Sequence, residues 1–179
     1  MFEWANLVYL VACMIGWCVL FINNRRRMMA LKVVGNFFSI AYFIMLGAHT
    51  AVLAIVIATL GSFMQGVFPD RMLAKTVFLR TGIAVSLAVA GMFTMAHDVS
   101  QLWPLVAVVI ARISEVQSCT QRIRFGFLFA QMCWIAYAVE QNMLLLYVTE
   151  NIATALNAFS IWRFEQQRKK AVAVQAVTA

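Results

Sequence analysis

Seven apolar runs, each close to the length of a bilayer crossing, follow one another through 179 residues with only short breaks between them. They fall at about 4–22, 30–47, 50–68, 79–96, 101–118, 124–139 and 142–162. A hydrocarbon core about 30 Å thick takes about 20 apolar residues in a helix, the form that pairs every backbone group within its own segment. The pattern predicts an all-α membrane protein of seven transmembrane helices and leaves no length for a soluble domain. Composition agrees: 64% of the chain is hydrophobic and 12% charged, against about 45–50% and about 25% in a soluble domain.

The breaks carry the topology. Basic residues gather at Arg25–Arg27 with Lys32, at Arg71, Lys75 and Arg80, at Arg122 and Arg124, and at Arg163, Arg168, Lys169 and Lys170. The alternate breaks, around Gly47–Thr50, His97–Gln101 and Glu140–Asn142, hold neither Lys nor Arg. The positive-inside rule then predicts an N-terminus outside and a C-terminus in the cytoplasm of a bacterial inner membrane. Six spans would put basic clusters on both faces and are rejected. Topology accounts for thirteen of the fourteen basic residues, and the exception, Arg112, lies inside the fifth run. The net charge of +7 is explained the same way, without nucleic acid as a partner.

Segment 71–80 mixes Arg71, Lys75 and Arg80 with Leu73, Val77 and Phe78, so it either lies along the cytoplasmic interface or is a plain loop. The first run has no basic residue before it and three after it, the reverse of a secretory signal peptide, and is expected to stay as an anchor. Cys13, Cys18, Cys119 and Cys133 lack paired CxxC spacing and read as small packing residues.

A shift of 95 positions superposes Leu10-Val11-Ala12 on Leu105-Val106-Ala107, Ile40-Ala41-Tyr42 on Ile135-Ala136-Tyr137, and Ile57-Ala58-Thr59 on Ile152-Ala153-Thr154. Residues 7–63 give twelve identities without a gap, where a chain of this composition gives roughly four or five by chance. The expected architecture is two parallel three-helix repeats, 1–68 and 99–165, joined by an interfacial segment and linker helix at 69–98 and followed by a cytoplasmic tail at 166–179. Parallel repeats characterise a subset of transporters, with a site at the repeat interface near mid-membrane. A duplication that retains no transport role is the other reading.

The basic loop Arg25–Arg27 leads into Asn36-Phe37-Phe38 and Ala41-Tyr42-Phe43-Ile44-Met45-Leu46-Gly47-Ala48, answered by Arg122, Trp134, Tyr137 and Glu150-Asn151. These residues resemble the YgjV-type bacterial inner-membrane family over most of the chain. That family is similar in layout to the SWEET and PQ-loop group, which implies a three-plus-one-plus-three fold and, for some members, sugar transport. The chain departs from that pattern: it has no Pro-Gln pair, and its only prolines are Pro69 and Pro104. Neither sugar as substrate nor gating at kinked prolines follows from the resemblance.

An ionisable residue inside a bilayer is expensive and marks a candidate site. In the last run Tyr147, Glu150, Thr154 and Asn157 recur at helical spacing, with Asn151 beside them, and are expected to face the bundle interior. There Glu150 binds a cation or a substrate donor or carries a proton, or else pairs with another span to hold the bundle together. Arg112 and Glu115, three apart, are expected to form an internal ion pair, with a gate as the sharper reading. Asn36 and Gln131 correspond under the shift and suit a shared substrate site or polar packing. Trp134, Tyr137 and Tyr42 could line a ligand face, although packing is the expected role. His49 and His97 sit at external span ends, too far apart for one helical pair, which makes haem or metal a remote reading.

No nucleotide-binding glycine loop, catalytic triad or HExxH spacing is present, so neither enzyme activity nor a cofactor is expected. The predicted function is a small-solute transporter or exporter with a central polar site. The alternative is a non-transporting scaffold, accessory subunit or ligand receptor on the same fold, and a haem-binding electron carrier stands third. The expected partners are the lipid bilayer and a small solute, and the sequence is compatible with a homo-oligomer.

Overall fold

The computed structural model describes residues 2–95, 98–115, 117 and 119–178, with only the backbone for 2, 70, 74 and 170–178. His97 and the end of the fifth expected run, at Val116 and Ser118, lie outside the described residues. The described chain is helical, in the order α1 (Phe2–Leu20), α2 (Arg25–Met45), α3 (His49–Val67), α4 (Asp70–Lys75), α5 (Val77–Met95), α6 (Trp103–Glu115), α7 (Thr120–Glu140) and α8 (Leu144–Thr178). A 3-10 turn, Val99–Leu102, leads into α6.

Local chemistry sets the helix ends. The Asn24 side chain accepts the Arg27 N–H at 3.2 Å and caps α2. At the far end of α2, Gly47 takes a left-handed φ of 68° and the Ala48 N–H bonds the Phe43 carbonyl at 3.0 Å. Asn142 does the same after α7, with φ 54°, and the Met143 N–H bonds the Ala138 carbonyl at 2.8 Å. Both are Schellman-type stops, built on the residue types that best tolerate that conformation. Helices α2 and α7 each run 21 residues. Their starts, and those of α3 and α8, are 95 positions apart.

Among the described residues five helices are long and apolar enough to cross a membrane by length and composition: α1, α2, α3, α5 and α8 over Leu144–Lys169. The other two expected runs hold α6 and α7, which fall short of that measure. Helix α6 has 13 residues, about 20 Å at 1.5 Å per residue, because the first residues of its run form the 3-10 turn. Helix α7 carries Arg122, Arg124, Gln121, Gln131 and Glu140 within an otherwise apolar helix. Within segment 71–80, α4 takes the first part and Val77–Arg80 already belong to α5. The last helix continues through Thr178, well past the expected end of its span.

Helix α2 packs between α1 and α3, and α7 between α6 and α8. The two triplets meet where α3 lies on α6 and α1 on α8, while α5 lies outside, against α3 and α6. Small residues let α5 approach: Ala84, Ala88 and Gly91 face Ala54, Ile57 and Leu105. Large apolar side chains cover the outer surface, with Phe78 91% and Phe93 86% exposed. Such a surface is at home against acyl chains rather than water.

Candidate functional site

A cavity of about 220 Å³ lies between the triplets, bounded by α1, α2, α3, α6, α7 and α8. Its wall is mostly apolar, and the polar groups on it are few: Lys32, Asn36 and Ser39 on α2, Gln131 on α7, and Thr149 and Glu150 on α8. Lys32, Asn36 and Ser39 follow at helical spacing, so one face of α2 supplies all three.

The two ends of this cavity are bordered by different chemistry. At the end carrying the arginine clusters, the fully buried carboxylate of Glu115 gathers partners from three helices. Lys32 Nζ lies 2.6 Å from Oε1, Gln65 Nε2 donates to Oε2 at 3.0 Å, and Ser62 Oγ is 3.4 Å from Oε1. Arg112, one turn earlier on α6, pairs with the same carboxylate. Arg25 reaches in from α2 and donates to the Glu115 backbone carbonyl and to Gln65 Oε1, both at 3.0 Å. Lys32 also sits 4.2 Å above the Phe127 ring, a favourable place for a desolvated ammonium. Gly61 is what admits the Arg112 guanidinium, because a Cβ there would collide with Nη1.

At the opposite end, five rings form a continuous layer across α1, α2 and α7. Tyr9 stacks on Tyr42 with centroids 4.3 Å apart, Tyr42 meets Phe43 edge-on, Phe43 stacks on Trp134 at 5.6 Å, and Trp134 meets Tyr137 edge-on. Tyr9, Phe43 and Trp134 face the cavity. Tyr42 and Tyr137 face a second, outer cavity of about 710 Å³ that also borders His49 and Gln141.

The structure brings together most residues singled out in the sequence, in different roles. Arg112 and Glu115 meet as an ion pair. Asn36, Gln131, Trp134 and Glu150 line one cavity. Asn157 is fully buried but lies behind the wall, where its Nδ2 donates to the Arg124 carbonyl at 3.0 Å and to Gln131 Oε1 at 3.1 Å. The Thr154 hydroxyl is buried without a partner. Tyr147 and Asn151 correct the expected inward stripe. Tyr147 is exposed on the outer face, and Asn151, also exposed, turns its amide back to the Tyr147 carbonyl at 2.8 Å.

Sequence reading missed Lys32, Arg25, Gln65 and Ser62 as partners of Glu115, and Arg124 as a buried residue. Arg124 is 0% exposed and donates to the Leu20 carbonyl at 3.2 Å and the Ile22 carbonyl at 2.9 Å. A signal for Lys32 was present, since it is the one cation of its cluster flanked by apolar residues on both sides, in Ala30-Leu31-Lys32-Val33-Val34. Cysteines depart from the packing reading in part: Cys133 is buried and Cys13 lines the cavity, but Cys18 and Cys119 are exposed.

Residues 3–168 match the Imp-YgjV family, described as a bacterial inner membrane protein. No curated protein and no solved structure matches the chain.

Proposed function

The chain belongs to the Imp-YgjV family of bacterial inner membrane proteins, and from that premise we propose that it is a small-solute transporter whose two triplets rock about the cavity they share. In this reading α1–α3 and α6–α8 are parallel repeats related by an axis along the membrane normal, and α5 is the linker. Seven helices cross, with the N-terminus outside and the arginine-rich end in the cytoplasm. Helix α6 is the shorter span, shielded over most of its surface by α3, α5 and α7 with Ile113 left exposed.

The observation that carries the proposal is the register of the cavity wall. Twenty of its twenty-six lining residues fall into ten pairs 95 positions apart, among them Lys32 with Phe127, Asn36 with Gln131 and Ile55 with Glu150. A void on the axis of two matched halves is where a rocking transporter holds its solute. A second pairing supports the same axis. Arg25 of α2 bonds the carbonyl that ends α6, at Glu115, and Arg124 of α7 bonds the carbonyl that ends α1, at Leu20. Each half thus clasps the other at the basic end, each arginine meeting the negative pole of a helix C-terminus.

The aromatic layer and the Glu115 network act as the outer and inner barriers in this scheme. Single cysteines at Asn36→Cys and Gln131→Cys, placed in a chain freed of its four natural cysteines, test it without knowledge of the substrate. Alternating access makes both positions reactive towards a membrane-impermeant maleimide in right-side-out and in inverted vesicles. Labelling from one side only, or from neither, is the behaviour of a non-transporting scaffold and ends the proposal.

A further inference from the structure

The polar groups on the cavity wall form an ordered series, and their unmet valences describe a ligand. Among the described residues the Glu150 side chain has no hydrogen bond or ion pair, and the other ionisable groups in its field, Tyr9 and Cys13, are neutral in their ordinary states. One α8 residue earlier, Thr149 Oγ1 lies 3.4 Å from Tyr9 Oη, which places Glu150 just beneath the aromatic layer. The opposite balance holds at the other end of the cavity, where Lys32 and Arg112 share the single carboxylate of Glu115. With Arg25 also reaching in, that end carries more cations than the one carboxylate can pair, and Arg112 Nε and Nη1 have no hydrogen-bond partner among the described residues. Between the ends stand two amides. Asn36, one helical turn or about 6 Å from Lys32 along α2, has a buried Nδ2 without a partner. Gln131 accepts from Asn157 through its Oε1, and its Nε2 makes no bond with another of the described residues.

We infer that the solute is a small zwitterion of the α-amino acid class, its ammonium on Glu150 and its carboxylate on the amides of Asn36 and Gln131, towards Lys32. The inference rests on the transporter reading for the purpose of the cavity, but the chemistry stands on these four side chains. A carboxyl group without a partner on an apolar wall holds its charge only beside a cation, and unpaired amide donors next to surplus positive charge call for an anion. One ligand with both ends satisfies all of them at once. The void has room for about seven waters at about 30 Å³ each, which suits a solute well below drug size. Trp134, Phe43 and Tyr9 would flank the ammonium with ring faces and the side chain with apolar surface.

Three matched probes test the assignment on the purified full-length protein: L-leucine, 3-methylbutylamine, which lacks its carboxylate, and 4-methylpentanoate, which lacks its ammonium. Binding is read by the fluorescence of Trp134 and Trp17, both on the cavity wall, and by calorimetry. L-leucine is expected to bind at least about tenfold more tightly than either half-molecule. Glu150→Gln is expected to weaken L-leucine and the amine by about tenfold or more and to leave 4-methylpentanoate unchanged, whereas Asn36→Leu weakens L-leucine and the carboxylate but not the amine. Far-ultraviolet circular dichroism and thermal midpoints identify variants that fail to fold, and Glu150→Asp, which keeps the charge, is expected to retain preference for L-leucine over 4-methylpentanoate.

The inference is overturned if 4-methylpentanoate binds as tightly as L-leucine, if Glu150→Gln changes nothing, or if none of the three binds below about 1 mM. These outcomes separate from those of the vesicle labelling. Zwitterion binding with one-sided labelling would retain the ligand and remove transport; two-sided labelling without zwitterion binding would do the reverse.

Discussion

Helices α2 and α7 have equal length, and both end on a left-handed residue, Gly47 in one and Asn142 in the other. The chemistry at matching positions is nevertheless unequal. Where α1 ends on Leu20, α6 ends on Glu115; where α3 carries Ile55, α8 carries Glu150; where α7 carries Phe127, α2 carries Lys32. Each of these charges is matched, 95 positions away in the other triplet, by an apolar residue. Backbone geometry and packing tolerate the same plan twice, but a binding site built from two identical sets of charges would repel itself on the axis. Splitting the charges between the triplets gives a cavity with distinct ends.

The largest test of that division is Glu115→Leu, which gives α6 the residue that ends α1. Lys32 and Arg112 would then be buried without a counter-charge. Removing one partner from a buried ion pair costs about 3–5 kcal/mol, so a large fall in the denaturation midpoint in detergent is expected. Replacing Lys32, Arg112 and Glu115 together by Met, Met and Leu should recover most of that loss, because an apolar set of similar volume carries no desolvation cost. If the triple variant is as unstable as Glu115→Leu, the network contributes through shape rather than charge.

Gly61→Ala acts on the same network from beneath. The new methyl occupies the position of Arg112 Nη1, and the guanidinium must leave the seat from which it pairs with Glu115. A loss of about 1–3 kcal/mol is expected, the range of overpacked interiors. Gly61→Ala with Arg112→Met should lose less than the sum of the two single changes, measured as a double-mutant cycle. Strict additivity would mean that the glycine serves something other than Arg112.

How much of this was legible in the sequence follows the range of the interactions involved. Apolar runs located α6 and α7 as well as α1, α2, α3, α5 and α8, because transfer into lipid is decided by each segment separately. The Arg112–Glu115 pair was legible because its members are one turn apart. Lys32 was assigned to topology because it stands beside Arg25–Arg27, and its true partner is 83 positions away on another helix. On α8, spacing gave the correct periodicity but could not fix the width of the buried sector. Its seam runs through Leu146, Thr149, Ala153, Asn157 and Ser160. At about 100° per residue, Tyr147 and Asn151 lie roughly 120° and 160° from that seam. Helices α7 and α1 make the main contacts with this helix, and the side bearing Tyr147 and Asn151 is exposed.

The turns offer a smaller contrast. Gly47→Ala places a Cβ in the left-handed region, which costs about 1–2 kcal/mol, with open space around it so that conformation alone is tested. Asn142→Gly relieves the same conformation and should be neutral or stabilising by a few tenths of a kcal/mol. Opposite signs at the two sites, read from thermal midpoints, would identify the backbone angle as the shared determinant. Equal signs would transfer the effect to side-chain contacts of Asn142.

The smallest effect concerns the first turns of α2 and α7. Asn24 caps α2 through its side-chain oxygen, while Cys119, 95 positions on, stands at the same place before α7 and offers the backbone N–H groups of Arg122 and Gln121 only a sulfur, a weaker acceptor. The φ and ψ of the two residues agree closely, −87° and 116° for Asn24 and −86° and 118° for Cys119. A side chain that reaches the backbone N–H of Arg27 in one turn should therefore reach that of Arg122 in the other. Cys119→Asn is expected to stabilise the protein by about 0.5–1 kcal/mol, the lower part of the range for N-caps. The converse change, Asn24→Cys, should lose a similar amount, and the two together should nearly cancel because the sites share no partner. A Cys119→Asn variant less stable than the parent would show that Cys119 is held by contacts of its own, and that the two triplets diverge in their turns as well as in their charges.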